Sequence, residues 1–185
     1  FVVPGLIMMA IVTNSYSNVV SSFFGAKFSG SVEELLVSPV SNVVILMGYV
    51  VGGVSRGLLV AVVVTLVSLF FTDLTIHSYF IVVVVVLMTS TLFALAGFIN
   101  AVYANSFDDI SIIPTFVLTP LIYLGGVFYS MDLLPEFWAN VSKLNPLVYV
   151  VNAFRYGVLG VSDVSLPIAF ALASYTHLTL STTFL

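Results

Sequence analysis

Cysteine is absent from the 185-residue chain, which excludes disulfides and thiolate metal sites. Charge is nearly absent too: 6% of residues are charged and 61% are hydrophobic. A soluble domain cannot cover its surface with so few polar groups. The four basic residues are scattered among eight acids, so no basic face exists to neutralise nucleic-acid phosphates. His77 falls in a loop and His177 in a hydroxyl-rich tail, which supports neither a zinc helix nor a catalytic triad. Neither Lys27 nor Lys143 follows a glycine, as the G-x-x-x-x-G-K phosphate loop requires. Any ATP that drives this chain must be hydrolysed elsewhere.

What the chain has is apolar length. No Asp, Glu, Lys or Arg lies between Asp73 and Asp108, a stretch longer than the ~20 residues a helix needs to cross a bilayer. Barrel strands alternate apolar and polar residues, whereas Ile81 to Leu87 is apolar throughout, so the runs predict spanning helices. The fold class is an all-α membrane protein, a polytopic bundle of about five hydrophobic segments forming one transmembrane domain over 1–185. The segments run from about Val3 to Phe24, Val43 to Phe71, Tyr79 to Ala104, Ile112 to Tyr129, and Leu166 onward. Phe1 opens inside an apolar run without a signal-peptide layout, and a preceding leader and first span are expected. Residues 174–185 are set apart as a doubtful tail. Lys27 on one side, against Lys143 and Arg155 on the other, gives only a weak orientation signal, opposed to the one adopted below.

The polar break from Gly25 to Asn42 contains Ser29-Gly30-Ser31-Val32-Glu33-Glu34-Leu35-Leu36-Val37-Ser38-Pro39. Ser31 and Glu34 have capping-box spacing, and Pro39 cannot continue a helix, so a helix of about two turns is predicted. Val32, Leu35 and Leu36 share one face, with Glu33 and Glu34 mostly outside it. So short a helix needs a partner to hold it. It either lies on lipid headgroups or docks on a protein; the acids favour the second, because interfacial helices usually show Lys or Arg to anionic lipid.

Gly30 to Val40, placed between two spans, resembles the coupling helix of type 2 ABC exporter permeases. Leu134-Pro-Glu-Phe-Trp138, followed by Leu144-Asn-Pro-Leu-Val-Tyr-Val-Val-Asn-Ala-Phe-Arg155, is similar to the segment before that family's last helix. The similarity covers Phe1 to about Ala173 and is closest to bacterial permeases related to drug, polysaccharide and nodulation-factor exporters. The resemblance implies a six-helix permease in the bacterial inner membrane, here as its second to sixth helices. Its partners would be an ABC ATPase subunit, which holds the ATP and Mg, a second copy of the permease, and the lipid bilayer. Ser31, Val32, Glu33, Glu34, Leu35 and Leu36 would couple to the ATPase. Trp138, Asn145, Pro146 and Arg155 would belong to two half-inserted helices on the external face. No cofactor is expected in this chain.

Arg56 is the one charge well inside a helix, where the bilayer centre would penalise it by ~2.5–3.5 kcal/mol. It should face protein or water, either as a pathway or gating contact or in a structural hydrogen bond to carbonyls or to Asn and Ser of the first helix. Gly48, Gly52, Gly53 and Gly57 form small-residue faces for close helix approach. Asn14, Asn18, Ser21 and Ser22, with Asn100 and Tyr103, either pack between helices or line a wetted pathway. Asp108 and Asp109 read as a solvated turn, with too few ligands for a hard cation. Pro114, Pro120 and Gly125-Gly126 should bend or interrupt the fourth segment. The alternatives to an exporter permease are an ion-coupled secondary transporter, which would need an intramembrane carboxylate that is not found, and a non-transporting scaffold.

Overall fold

A computed structural model describes residues 2–72, 76–130 and 133–162. Three long apolar helices form its frame: α1 (Val2–Phe28), α3 (Asn42–Leu69) and α4 (Tyr79–Tyr103), each long and apolar enough to cross a membrane. Between α1 and α3 sits the short α2 (Ser31–Val37). After α4 come α5 (Phe107–Ile112), a π-helical stretch (Ile113–Leu118) and α6 (Thr119–Tyr123), which run on as one irregular helix. α7 (Glu136–Lys143) and α8 (Pro146–Leu159) complete the described elements. All elements among the described residues are helical, as predicted. The fifth predicted segment lies in 163–185, outside the described residues.

The first three predicted spans match α1, α3 and α4 closely. α1 continues a turn further than expected, through Lys27, because the end of α4 gives that side chain a partner. The fourth segment starts five residues early and stops at Tyr123. Its two prolines fall inside, and the helix widens instead of breaking: the Thr119 N–H and its hydroxyl both donate to the Pro114 carbonyl, the hydroxyl at 2.8 Å. A proline lacks the N–H that would close the normal turn, and a widened turn re-pairs the displaced carbonyls.

α1 is the central helix and packs along both α3 and α4. Its buried face, including Met8, Ile11, Val12, Ser15, Tyr16 and Val19, meets small residues on its neighbours. A Cβ added at Gly53 would lie within 3.0 Å of both Ala94 Cβ and the Ser15 carbonyl oxygen. One added at Gly57 would collide with Ser15 Oγ and come 3.1 Å from Ser90 Oγ. Lipid tails are as apolar as leucine, so close approach and dispersion hold such helices together. Of the four glycines expected to serve packing, only Gly53 and Gly57 are buried. Gly48 has nothing within 4 Å, and Gly52 has only Asn18 Oδ1 at 3.7 Å.

α8 is an internal element: ten of its fourteen residues are buried, so it packs into the bundle instead of lying over it. Phe154 and Val158 join the core with Ile7, Val85 and Val86. The last carbonyls of α8 accept from the chain entering α4, His77 N–H to Val158 at 3.1 Å and Ser78 N–H to Gly157 at 2.8 Å.

Gly57→Leu should destabilise the bundle by about 1–3 kcal/mol through overpacking, read as a lower melting temperature in detergent. Gly48→Leu, on the open face of the same helix, should leave it unchanged; equal losses from both would show that the α1–α3–α4 seam is not the close contact.

Candidate functional site

The end of the bundle that carries α2 holds the densest set of predicted functional residues. Gly30 closes α1 and opens α2 in the left-handed conformation, φ +79°, which glycine adopts without the Cβ penalty. The helix starts at Ser31, as predicted, although no capping box forms: Ser31 is its first residue, and Glu33 N–H donates to the Gly30 carbonyl at 3.2 Å. Ser31 Oγ instead lies 3.0 Å from Ser29 Oγ. Pro39 does terminate the helix, through an extended Ser38 whose hydroxyl donates back to the Leu35 carbonyl at 2.6 Å.

Val32, Leu35 and Leu36 share a face, as their spacing predicted. With Phe23, Leu46 and Phe98 they line an apolar cavity of about 350 Å³ between α2 and the long helices. Val32 and Leu35 are half-buried against it, whereas Leu36 remains 60% exposed and Val37 88% exposed. Glu33 and Glu34 are exposed, and with Val37 and Ser38 they line a shallow outer depression. α2 is thus seated on its own bundle by Val32 and Leu35. It presents two carboxylates and two apolar side chains outward.

Beside α2, the short break after α4 is more ordered than the expected solvated turn. Ser106 and Asp109 form a capping box: Asp109 N–H donates to Ser106 Oγ at 3.2 Å, and Asp109 Oδ2 accepts from Ser106 N–H at 3.0 Å and Asn105 N–H at 2.9 Å. The N–H of Asn105, then the Ser106 side chain, hold the Asp109 carboxyl below the usual carboxylate range. Among the described residues no group of three His, Asp or Glu is placed to hold a metal ion.

Asn100 is buried and serves packing. Its amide donates to the Tyr16 hydroxyl at 2.8 Å and to the Ile110 carbonyl at 3.4 Å. Ile110 lies four residues before Pro114, so its carbonyl is the one that proline leaves without a helical donor. Asn14 is half-buried and its amide donates within α1 to the Ala10 carbonyl at 2.9 Å. Asn18 is half-buried beside Gly52, next to the exposed Ser17, Ser21 and Ser22. Arg56 is exposed at the middle of α3, and no hydrogen bond to Asn or Ser of α1 is formed among the described residues. The structural hydrogen bond to the first helix is therefore not its partner. Thirteen residues separate it from Leu69 and fourteen from Asn42, about 20 Å of helix either way, beyond the reach of its side chain to either interface.

At the other end, the predicted pair of helices with a break at Pro146 is present. Asn145 caps α8, accepting from Leu147 N–H at 3.0 Å, and its amide donates to the Leu121 carbonyl in α6 at 2.6 Å. Arg155, fully buried, donates from Nη2 to the Gly126 carbonyl at 2.7 Å. The two residues therefore grip carbonyls on either side of the point where the irregular helix ends, Leu121 within it and Gly126 just beyond. Trp138 is half-exposed on α7, its ring 5.4 Å edge-on from that of Phe137. The Lys27 contact with α4 had no signal in local sequence. The capping box did, in the Ser106-x-x-Asp109 spacing.

A sequence profile described as ABC-2 type transporter matches residues 1–159. The chain is 58% identical over 172 residues to the inner membrane transport permease YadH of Escherichia coli K12, covering 93% of this chain and 67% of that protein. Nodulation protein J of Rhizobium leguminosarum bv. viciae is 29% identical over 76 residues, 41% of this chain and 29% of that protein. Its namesake in Sinorhizobium fredii is 22% identical over 160 residues, 86% of this chain and 61% of that protein. A profile match over most of the length, a relative at this identity and a bundle of long apolar helices agree: the chain belongs to the ABC-2 type transporter family, as a membrane-spanning permease subunit.

Proposed function

We propose that this permease exports its cargo across a bacterial inner membrane, driven by a separate ABC ATPase that binds ATP and Mg and docks on α2. The observation that carries the reading is the build of α2. Seven residues are tied on one side to a 27-residue span and on the other to a 28-residue span. A helix of that length does not persist alone, and its exposed Glu33, Glu34, Leu36 and Val37 offer apolar area ringed by acid. Burying Leu36 and Val37 in a partner would contribute ~1.5–3 kcal/mol each. The name of the Escherichia coli relative, an inner membrane transport permease, supports the membrane assigned here, and docking of a cytoplasmic ATPase requires α2 on the cytoplasmic side.

In this reading two permease copies assemble, and the open face of α1 and α3 lines a wetted route between them. Arg56 supports it: a cation exposed at mid-helix is costly against lipid and needs water, a polar wall or an anionic group beside it. Asn18, Ser17 and Ser21 give the neighbouring face of α1 the same polarity. Asn100, buried between α1, α4 and α5, is not on that route.

Val37→Asp should weaken co-purification of the ATPase at least about tenfold, the equivalent of losing one buried aliphatic contact, with membrane insertion unchanged. Leu35→Asp should abolish it as well, by unseating α2 from its own bundle. Normal recovery of the ATPase with Val37→Asp would refute docking through α2.

The 185 residues contain no cysteine, so introduced thiols report singly once any elsewhere in the full chain are removed. Arg56→Cys and Ser21→Cys should react with a membrane-impermeant thiol reagent several-fold faster than Val62→Cys on another face of α3. Equal, slow reaction at all three would remove the wetted route.

A further inference from the structure

The last turn of α1 is fastened to a second helix end, and seating α2 does not require that fastening. Lys27 Nζ donates to the Val102 carbonyl at 2.8 Å and to the Ala104 carbonyl at 2.7 Å. These lie where α4 stops, among carbonyls that lack helical donors and carry the negative end of the helix dipole. Two of the three ammonium donors are thereby engaged, and the cation is directed at protein instead of headgroups. Directly after Ala104, the Ser106–Asp109 capping box starts α5.

An aromatic contact reinforces the same junction. The Phe107 ring, first residue of α5, sits 5.0 Å from the rings of both Phe24 and Phe28. α1 therefore holds the end of α4 through a charge and the start of α5 through two rings. On its other side Lys27 is close to α2: Gly30 N–H donates to the Lys27 carbonyl at 3.2 Å, and Ser29 N–H to the Gly25 carbonyl at 3.0 Å. Only Ser29 and Gly30 separate the end of α1 from the docking helix.

α2 has a second exit, into α3, and the two exits differ in stiffness. The α1 side is a hydrogen-bonded turn of two residues. The α3 side is the stretch from Ser38 to Ser41, extended at both ends and mostly exposed. A push on α2 is transmitted better through a short bonded turn than through an extended link. α1 cannot absorb the push by sliding, because the Gly53–Gly57 seam holds it against α3 and α4. The compliant element downstream is the irregular helix, with its π stretch and the Gly125-Gly126 break at its far end.

We propose that Lys27, with Phe107 held by Phe24 and Phe28, is the joint that carries displacement of α2 into the α5–π–α6 helix. Lys27 is a positioning residue in this scheme. The inference rests on the reading that α2 docks on an ATPase, and its experiment separates the two.

The test uses the full-length permease with its ATPase in lipid nanodiscs, spin-labelled at Ser31→Cys, the exposed first residue of α2, and at Ser111→Cys on α5. Double electron–electron resonance then reads the distance between labels before and after nucleotide trapping. With Lys27 present the distribution should keep its width when nucleotide is trapped, because both elements move together. Lys27→Met should broaden it on trapping and cut permease-stimulated ATP hydrolysis about tenfold, as expected for loss of charge-assisted bonds, with ATPase co-purification unchanged. Lys27→Arg, which can still donate to both carbonyls, should restore both readouts. If Lys27→Met does not fold, Phe107→Leu is the second variant and should broaden the distribution in the same way. A narrow distribution and full stimulation in these variants would overturn the joint, and so would loss of co-purification in Lys27→Met, which would make the residue part of assembly. Failure of the unsubstituted permease to retain an ATPase would instead overturn the docking reading, and the joint with it.

Discussion

A backbone carbonyl inside a membrane must find a donor within the protein, because no water is available to supply one. Much of this structure follows from how that demand is met where helices end or bend. Lys27 serves Val102 and Ala104 at the end of α4, and Asn100 serves Ile110, left open by Pro114. The Thr119 hydroxyl serves Pro114 in the π stretch. Asn145 and Arg155 reach Leu121 and Gly126 at the far end. Among the described residues, Lys27, Asn100, Asn145 and Arg155 each commit a long-range hydrogen bond to a main-chain oxygen.

The distribution of these contacts divides the molecule into stiff and yielding parts. α1, α3 and α4 meet along buried small residues, and their backbones are complete helices with no internal defects to repair. The helix from Phe107 to Tyr123 is assembled from three unlike pieces, and apart from the Thr119 bonds within it its contacts come from other elements: from α4 through Asn100, from α1 through the rings around Phe107, and from the cap of α8 through Asn145. An element whose bonds are supplied by its neighbours moves when they move. That dependence gives the α2 end of the bundle a physical route to the α8 end without any continuous rigid rod.

The sequence made the frame legible because length and unbroken hydrophobicity are local properties. α1, α3 and α4 could be placed to within a turn, and so could the start and stop of α2 from the Ser31–Glu34 spacing and Pro39, although the capping box itself does not form. The break at Pro146 was also readable, since proline is favoured in the first turn of a helix, whereas the Asn145 cap was not. The rest was hidden for specific reasons. Glycine spacing in α3 shows that close approach is possible but not which azimuth is used, so Gly48 and Gly52 could not be told from Gly53 and Gly57. Arg56 was expected to face protein or water; α3 turns it outward from this bundle, and only tertiary packing decides that. Lys27 could be counted as a charge but not connected to Val102, seventy-five residues away. Of the candidate site, the coupling helix was visible as a unit, while the partition of its side chains into seated and exposed required coordinates.

The widened turn in the fourth segment bears on how related sequences are compared. Ile110, Pro114, Leu118 and Ile122 are turned at least partly inward and recur every fourth residue, with Asp109 and Leu121 partly buried beside them. On a regular wheel of 3.6 residues per turn, three such steps would fan out over about 120°, and the stripe would look too diffuse to be a contact surface. Helical-wheel plots drawn for homologues at the standard period will therefore blur the very ridge that faces the interior, and a four-residue repeat is the better ruler across this span.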